Sequence, residues 1–151
     1  MQERISRNTV YQAQPALLSS LLGLGEAAAN GLEKSLVHLV KLRASQINGC
    51  AFCQHMHTQE ARNDGERQVR LDVLPAWREV PLFSERERAA LYWTEKLTRL
   101  SNGGVPQTDF DELAAQFTQA EMVDLMCIIV TINAWNRVAV GFHFIPEVEG
   151  G

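Results

Sequence analysis

Cys50 and Cys53 stand two residues apart in Asn48-Gly49-Cys50-Ala51-Phe52-Cys53-Gln54-His55-Met56-His57, and no other side chains in the sequence combine type and spacing so suggestively. Two cysteines so placed at the start of a helix bring their sulfurs close enough to form a disulfide reversibly. The N–H groups of a helix's first turn carry partial positive charge, which favours thiolate over thiol and makes a nucleophile available near neutral pH. His57 follows Cys53 by four residues, so on a helix the two share a face, where an imidazole can take up the thiol proton or hand one to a leaving group. His55, two residues after Cys53, points to another face and is the weaker candidate. His38 precedes Cys50 by twelve residues, and a helical hairpin turning at Asn48-Gly49 could fold it back over the pair.

A zinc site is the competing use of such a pair, and it needs two more ligands. Only His57, His55, His38 and His143 could supply them, and no second cysteine pair exists, because Cys127 sits alone in an apolar stretch where it reads as a small core residue. The expectation is therefore redox chemistry without metal or other cofactor. Taken singly, His38 and His143 read as hydrogen-bonded structural residues. Met122, Met126, Trp135 and Phe142 read as packing.

The elements that must position these groups are helices. One is expected from Ala16 to about Ala29, stopped at Asn30-Gly31 by a left-handed cap, and an amphipathic one from Leu32 to about Ile47. Asn48-Gly49 breaks the chain, and a helix from Cys50 to about Asn63 closes at Asp64-Gly65. Arg67 to Pro81 reads as a short helix or turns. Ser84 with Glu87 forms a capping box for a helix from Glu85 to about Leu100. Thr108 with Asp111 opens a shorter one through Phe117. Thr118 with Glu121 forms a second capping box, opening a helix from Gln119 to about Val140 that is apolar on most sides and so buried centrally or at a subunit contact. No stretch alternates long enough for a sheet. The predicted class is all-α, a single domain over residues 1–151 with six or seven helices.

Hydrophobic residues make up 46% and charged residues 21%, an ordinary globular composition. A net charge of -4 with Lys and Arg scattered among acids offers no basic stripe for a nucleic acid. Residues 1–8 carry no apolar segment behind their charges, and the strongly apolar run Leu125 to Ile132 falls well short of the roughly 20 residues of a membrane span. A cytoplasmic protein without nucleic-acid or membrane partners is expected. In a reducing compartment a close cysteine pair signals catalysis or metal binding rather than a disulfide framework.

Ser45 through His57, with His four positions after the second Cys, resembles the core motif of the alkylhydroperoxidase D and carboxymuconolactone decarboxylase superfamily, in its redox branch. Ile132-Asn133-Ala134-Trp135-Asn136-Arg137, Trp77-Arg78-Glu79 and Ser84-Glu85-Arg86-Glu87-Arg88 resemble bacterial members of similar length. The resemblance implies an all-helical fold in a homo-oligomer, trimer or hexamer, with the cysteines in a helical hairpin near subunit contacts. It implies peroxide reduction, with Cys53 peroxidatic, Cys50 resolving, His57 in the proton relay, and a hydroperoxide substrate and an external dithiol reductant as partners. Family members commonly carry Glu twelve residues before the first Cys, where this sequence has His38. An imidazole can serve a relay because it titrates near neutrality. Two alternatives keep the fold: a disulfide-exchange or redox-sensing oligomer, and a decarboxylase-like or lactone-acting enzyme, whose branch generally lacks paired cysteines.

Overall fold

The computed structural model describes residues 1–148; the last three residues of the expected single domain, 149–151, lie outside the described residues. Eight α-helices run α1 Arg7–Ala13, α2 Pro15–Ala29, α3 Lys34–Ile47, α4 Ala51–Asn63, α5 Gln68–Asp72, α6 Glu85–Thr98, α7 Gln107–Ala114 and α8 Gln119–Phe142, with 3-10 turns at Leu74–Glu79 and Leu100–Asn102. The class is all-α, and among the described residues there is no strand.

The central element is α3, which packs on α4, α6 and α8, while α2 lies along α8. Such a position requires a helix buried on most sides, and α3 buries nine of the ten residues from Leu36 to Ser45, leaving Lys41 half-buried. One core cluster joins α2, α3, α6, α7 and α8 through Ala28, Val40, Trp93, Leu113 and Leu125. A second joins α3, α4 and α6 through Leu39, Leu42, Ala61, Leu74 and Leu91. Between α3 and α6 the buried Glu95 carboxylate accepts from Arg43 Nε at 2.8 Å and Trp77 Nε1 at 3.0 Å and pairs with Arg78 at 2.7 Å. Burial pushes that carboxyl upward, but the three donors outweigh it and hold it below the ordinary glutamate value.

Both expected capping boxes form, Ser84 with Glu87 on α6 and Thr118 with Glu121 on α8. Three local readings differ. Helix α1 was not expected; Ser6 caps it by accepting from Thr9 N–H, but it buries only Val10, so its sequence carries no apolar stripe. What fixes this arm is distant in sequence: Arg4 donates from its backbone N–H to Phe142 O at 3.0 Å and from Nη1 to Gly141 O at 2.9 Å, satisfying carbonyls at the end of α8. Asn30 is right-handed rather than a left-handed cap, with φ -66° and ψ -21°. At Gly31 a Cβ would meet the Asp124 carboxylate of α8, so the missing side chain leaves room for that acid beside the end of α2. Finally, α7 begins at Gln107 behind Pro106 without a side-chain cap, and Asp111 accepts from Gln107 Nε2 at 2.8 Å instead of pairing with Thr108.

At 24 residues, α8 is long and apolar enough, by length and composition, to cross a membrane, although its strongly apolar run Leu125 to Ile132 is short. Two of its asparagines are turned into the protein: Asn133 Nδ2 donates to Thr98 Oγ1 at 3.1 Å and Asn136 Nδ2 to Ser45 Oγ at 3.0 Å. That is the arrangement of a central core helix, against which α2 and α3 pack. His143 ends it in the left-handed conformation, φ 60°, with its N–H bonded to Val140 O, so this histidine is a helix terminator.

Candidate active site

Gly49 makes the turn between α3 and α4 with φ 65°, a conformation in which glycine lacks the Cβ penalty of other residues. Asn48 anchors that turn by donating from Nδ2 to Asn133 Oδ1 at 3.0 Å and to Asn136 Oδ1 at 2.9 Å. A buried amide network thus ties the cysteine-bearing turn to α8. It also gives a physical role to the asparagines that stood out in the sequence around Trp135.

Cys50 occupies the N-cap of α4, where its sulfur accepts from Cys53 N–H at 3.2 Å, and Cys53 lies in the first turn. The two are joined in a disulfide with Cα atoms 5.3 Å apart. Both are almost wholly buried, 1% and 2% exposed. Their difference lies in access: Cys53 lines a cavity of about 280 Å³ together with His57, and Cys50 does not. His57 is itself buried, and its Nδ1 lies 2.9 Å from Glu60 Oε2 one turn further along α4. The bond leaves the other ring nitrogen, Nε2, free of any protein partner among the described residues.

Glu60 is the site residue that the sequence reading missed. The hydrogen bond from His57 holds its carboxyl below the ordinary glutamate value against the opposing effect of partial burial, and the charges of Lys41 and His38 act in the same direction. Its signal in the sequence was the i, i+3 spacing from His57, which places both on one face of a helix.

His38 is placed differently from the expectation. The antiparallel hairpin sets it beside the far end of α4, where Nε2 lies 2.6 Å from Asp64 Oδ2, and Asp64 also accepts from Lys34 Nζ at 2.8 Å. It lines a separate polar pocket with Lys34, Asp64 and Arg67 and is not among the residues lining the Cys53 cavity. The bonds from Lys34 and then His38 hold the Asp64 carboxyl below its ordinary value. His55 lines neither cavity. Among the described residues no group of three or more His, Cys, Asp or Glu is placed to hold a metal ion.

A helical hairpin presenting a Cys-x-x-Cys pair at a helix start defines an alkylhydroperoxidase D-like protein, and comparison with known proteins places it more closely. Residues 15–96 match the carboxymuconolactone decarboxylase family, and the chain belongs to that family. Over 141 residues it is 33% identical to the uncharacterized protein YdfG of Bacillus subtilis (strain 168), covering 93% of this chain and 94% of YdfG. A protein of unknown function from Agrobacterium tumefaciens, a candidate antioxidant defence protein AhpD, is 40% identical in its crystal structure, with TM-score 0.90 over 98% of this chain and 100% of that one. The debrominase Bmp8 shares the fold at 19% identity, with TM-score 0.76 over 91% of this chain and 74% of that one. The family and the all-helical fold indicated by the sequence therefore stand, and the paired cysteines are consistent with its redox branch.

Proposed function

We infer that the protein is a thiol-dependent hydroperoxide reductase whose attacking sulfur is Cys53. The observation that carries this reading is that Cys53 and His57 open into one cavity while Cys50 is closed off behind the disulfide.

In the reduced protein His57 takes the Cys53 proton, and the first-turn N–H groups of α4 stabilise the thiolate. The thiolate attacks the terminal oxygen of a hydroperoxide; the S–O bond forms, the O–O bond breaks, and the departing alkoxide takes the proton from His57 to leave as alcohol, or as water from hydrogen peroxide. Cys50 then attacks the sulfenic sulfur, forming the disulfide and expelling the hydroxyl as water. An external dithiol supplies two electrons and two protons to reopen it by thiol exchange. Glu60, accepting from Nδ1, holds His57 in the tautomer whose Nε2 is free to take a proton and stabilises the imidazolium while it carries that proton. His38, held by Asp64, bears on this chemistry only through its charge near Glu60.

Turnover of an organic hydroperoxide with excess dithiol tests the reading. Cys53→Ser abolishes it, and Cys50→Ser gives a single oxidation that stalls at sulfenic acid, trapped by a dimedone-type reagent. Full activity in either variant overturns the assignment, and oxidation of the native protein without turnover would mark a redox sensor instead.

A further inference from the structure

We propose that Lys41 is the anchor for a carboxylate in the Cys53 cavity, so that the molecule Cys53 meets is an apolar acid carrying a hydroperoxide, held by its anionic end. The proposal rests on the reading of Cys53 as the peroxide-attacking sulfur and adds to it the charge that the ligand must carry. The carboxylate takes no part in bond making: the S–O bond forms and the O–O bond breaks as above, and the product is the matching hydroxy acid.

Of the ten residues from Leu36 to Ser45, Lys41 alone is not buried, and the place where this central helix opens is the wall of the Cys53 cavity. The other ionisable residues of α3 have acids of their own: Lys34 and His38 share Asp64, at 2.8 and 2.6 Å, and Arg43 meets Glu95 at 2.8 Å. Lys41 has no such partner among the described residues; Glu60, the acid its charge reaches, is bonded to His57 instead. A half-buried ammonium against an apolar cavity is poorly screened by solvent, so it attracts an anion more strongly than a surface lysine does.

That charge stands about one helical turn from the sulfur. Lys41 and His57 lie eight residues before and after Gly49, at one level of the antiparallel hairpin. His57 is four residues beyond Cys53, or about 6 Å along the helix. A ligand with its peroxide at Cys53 and its carboxylate at Lys41 therefore has about one ring between them. The cavity of about 280 Å³ holds such a body, since about 150 Å³ accommodates benzene. Leu18, Leu21, Phe52, Met56 and Trp135 supply apolar walls for it.

The other charged groups of the wall do not take this role. Arg7 pairs with Glu147 at 3.3 Å, and its guanidinium lies over the Phe52 ring at 4.8 Å from the centroid. Glu26 is exposed in the last turn of α2, where solvent screens it. His57 is held by Glu60. Lys41→Met keeps the apolar stem and removes the charge, whereas Lys41→Arg keeps the charge. The two together separate an anchor from a lysine whose stem merely lies along the wall.

Calorimetric titration of para-isopropylbenzoate and of the neutral, same-shaped para-isopropylbenzamide into the oxidised protein reads the anchor without any turnover. The acid should bind about tenfold or more tighter than the amide, the scale of a hydrogen bond to a charged group. That advantage should vanish in Lys41→Met and persist in Lys41→Arg and in Arg7→Gln. The same ratio should appear when pre-reduced protein is oxidised in a single turnover by cumene hydroperoxide bearing a para carboxylate or a para carboxamide, each rate divided by that of a free thiol. Equal affinities for acid and amide in the native protein, or an advantage that survives in Lys41→Met or is lost in Arg7→Gln, would overturn the anchor and leave the peroxidase reading standing. Acid binding through Lys41 without oxidation by either hydroperoxide would keep the anchor and overturn the peroxidase reading; absence of both effects overturns both.

Discussion

Two histidine–carboxylate pairs stand along α4, His57 with Glu60 on the helix itself and His38 of α3 against Asp64 at its C-cap, and they differ in what the pair faces. At the sulfur end His57 bonds Glu60 and opens into an apolar cavity beside Cys53. At the far end His38 bonds Asp64, which is also held by Lys34, in a polar pocket with no sulfur. A histidine–carboxylate pair is thus no sign of catalysis by itself. The same bond orients a proton carrier where a nucleophile shares the cavity and closes a helix end where none does.

That contrast is broken most directly by removing each ring in turn. His57→Gln should slow Cys53 oxidation by cumene hydroperoxide about 100-fold or more, the range of a positioned general acid–base. His38→Gln should change it by less than about threefold, because the ring it removes lies outside the cavity. Equal losses would return His38 to the relay.

The ends also differ in their anchoring. Asn136, 1% exposed, donates to Ser45 and accepts from Asn48, so α8 clamps the turn before Cys50. At the far end the side-chain bonds are those of Lys34 and His38 to Asp64, with the Lys34 side chain largely in solvent. Asn136→Leu should destabilise the fold by about 1–3 kcal/mol, through the polar partners it leaves unmatched. A urea midpoint checks this. Asp64→Asn should move the same midpoint far less, since exposed ion pairs contribute little.

A sharper probe is Glu60→Gln, which keeps the shape and removes the charge. A hydrogen bond to a charged partner contributes about 1.5–3 kcal/mol when sheltered; the Glu60 side chain is 46% exposed, so about tenfold in Cys53 reactivity is the reasonable expectation. The direction follows from electrostatics: a neutral residue 60 stabilises the imidazolium less, the thiolate loses its counter-charge, and the pH midpoint of Cys53 alkylation moves upward. Glu60→Asp should recover part of the shift. A merely structural role would lower stability and leave that midpoint where it was.

Much of this was legible in the sequence. The hairpin, the glycine at its turn, the pair at the start of α4 and both capping boxes follow from local rules, because capping and turn chemistry act within four residues. Helix α1 was not legible, since its docking runs through Arg4 to carbonyls more than 130 residues away. Gly31 was misread for the same reason: its smallness answers to Asp124 across the α2–α8 interface rather than to its own backbone. Spacing put His57 beside Cys53 correctly on one helix, but placing His38 required the register of α3 against α4. That register is set by the buried contacts of Leu39, Leu42 and Ala61.

The smallest expected effect concerns acid. Glu60 and Asp64 both have carboxyls held below their ordinary values, Glu60 chiefly by the bond from His57 and Asp64 chiefly by that from Lys34. A carboxyl depressed in the folded state binds its proton more readily in the unfolded chain. Each therefore stabilises the fold above the ordinary carboxylate range, about pH 4, and that contribution disappears as pH falls through the lower folded value. Glu121, held to about 2 by Arg86 on the surface, extends the same trend to lower pH. Urea midpoints measured downward from pH 5 should decline in the native protein and decline less steeply in Glu60→Gln and in Asp64→Asn, each variant having lost one linked proton. Only Glu60→Gln should also displace the Cys53 alkylation profile. If Asp64→Asn displaced it equally, the two ends of α4 would be electrically one site, and the division between a reacting end and a closing end would fail.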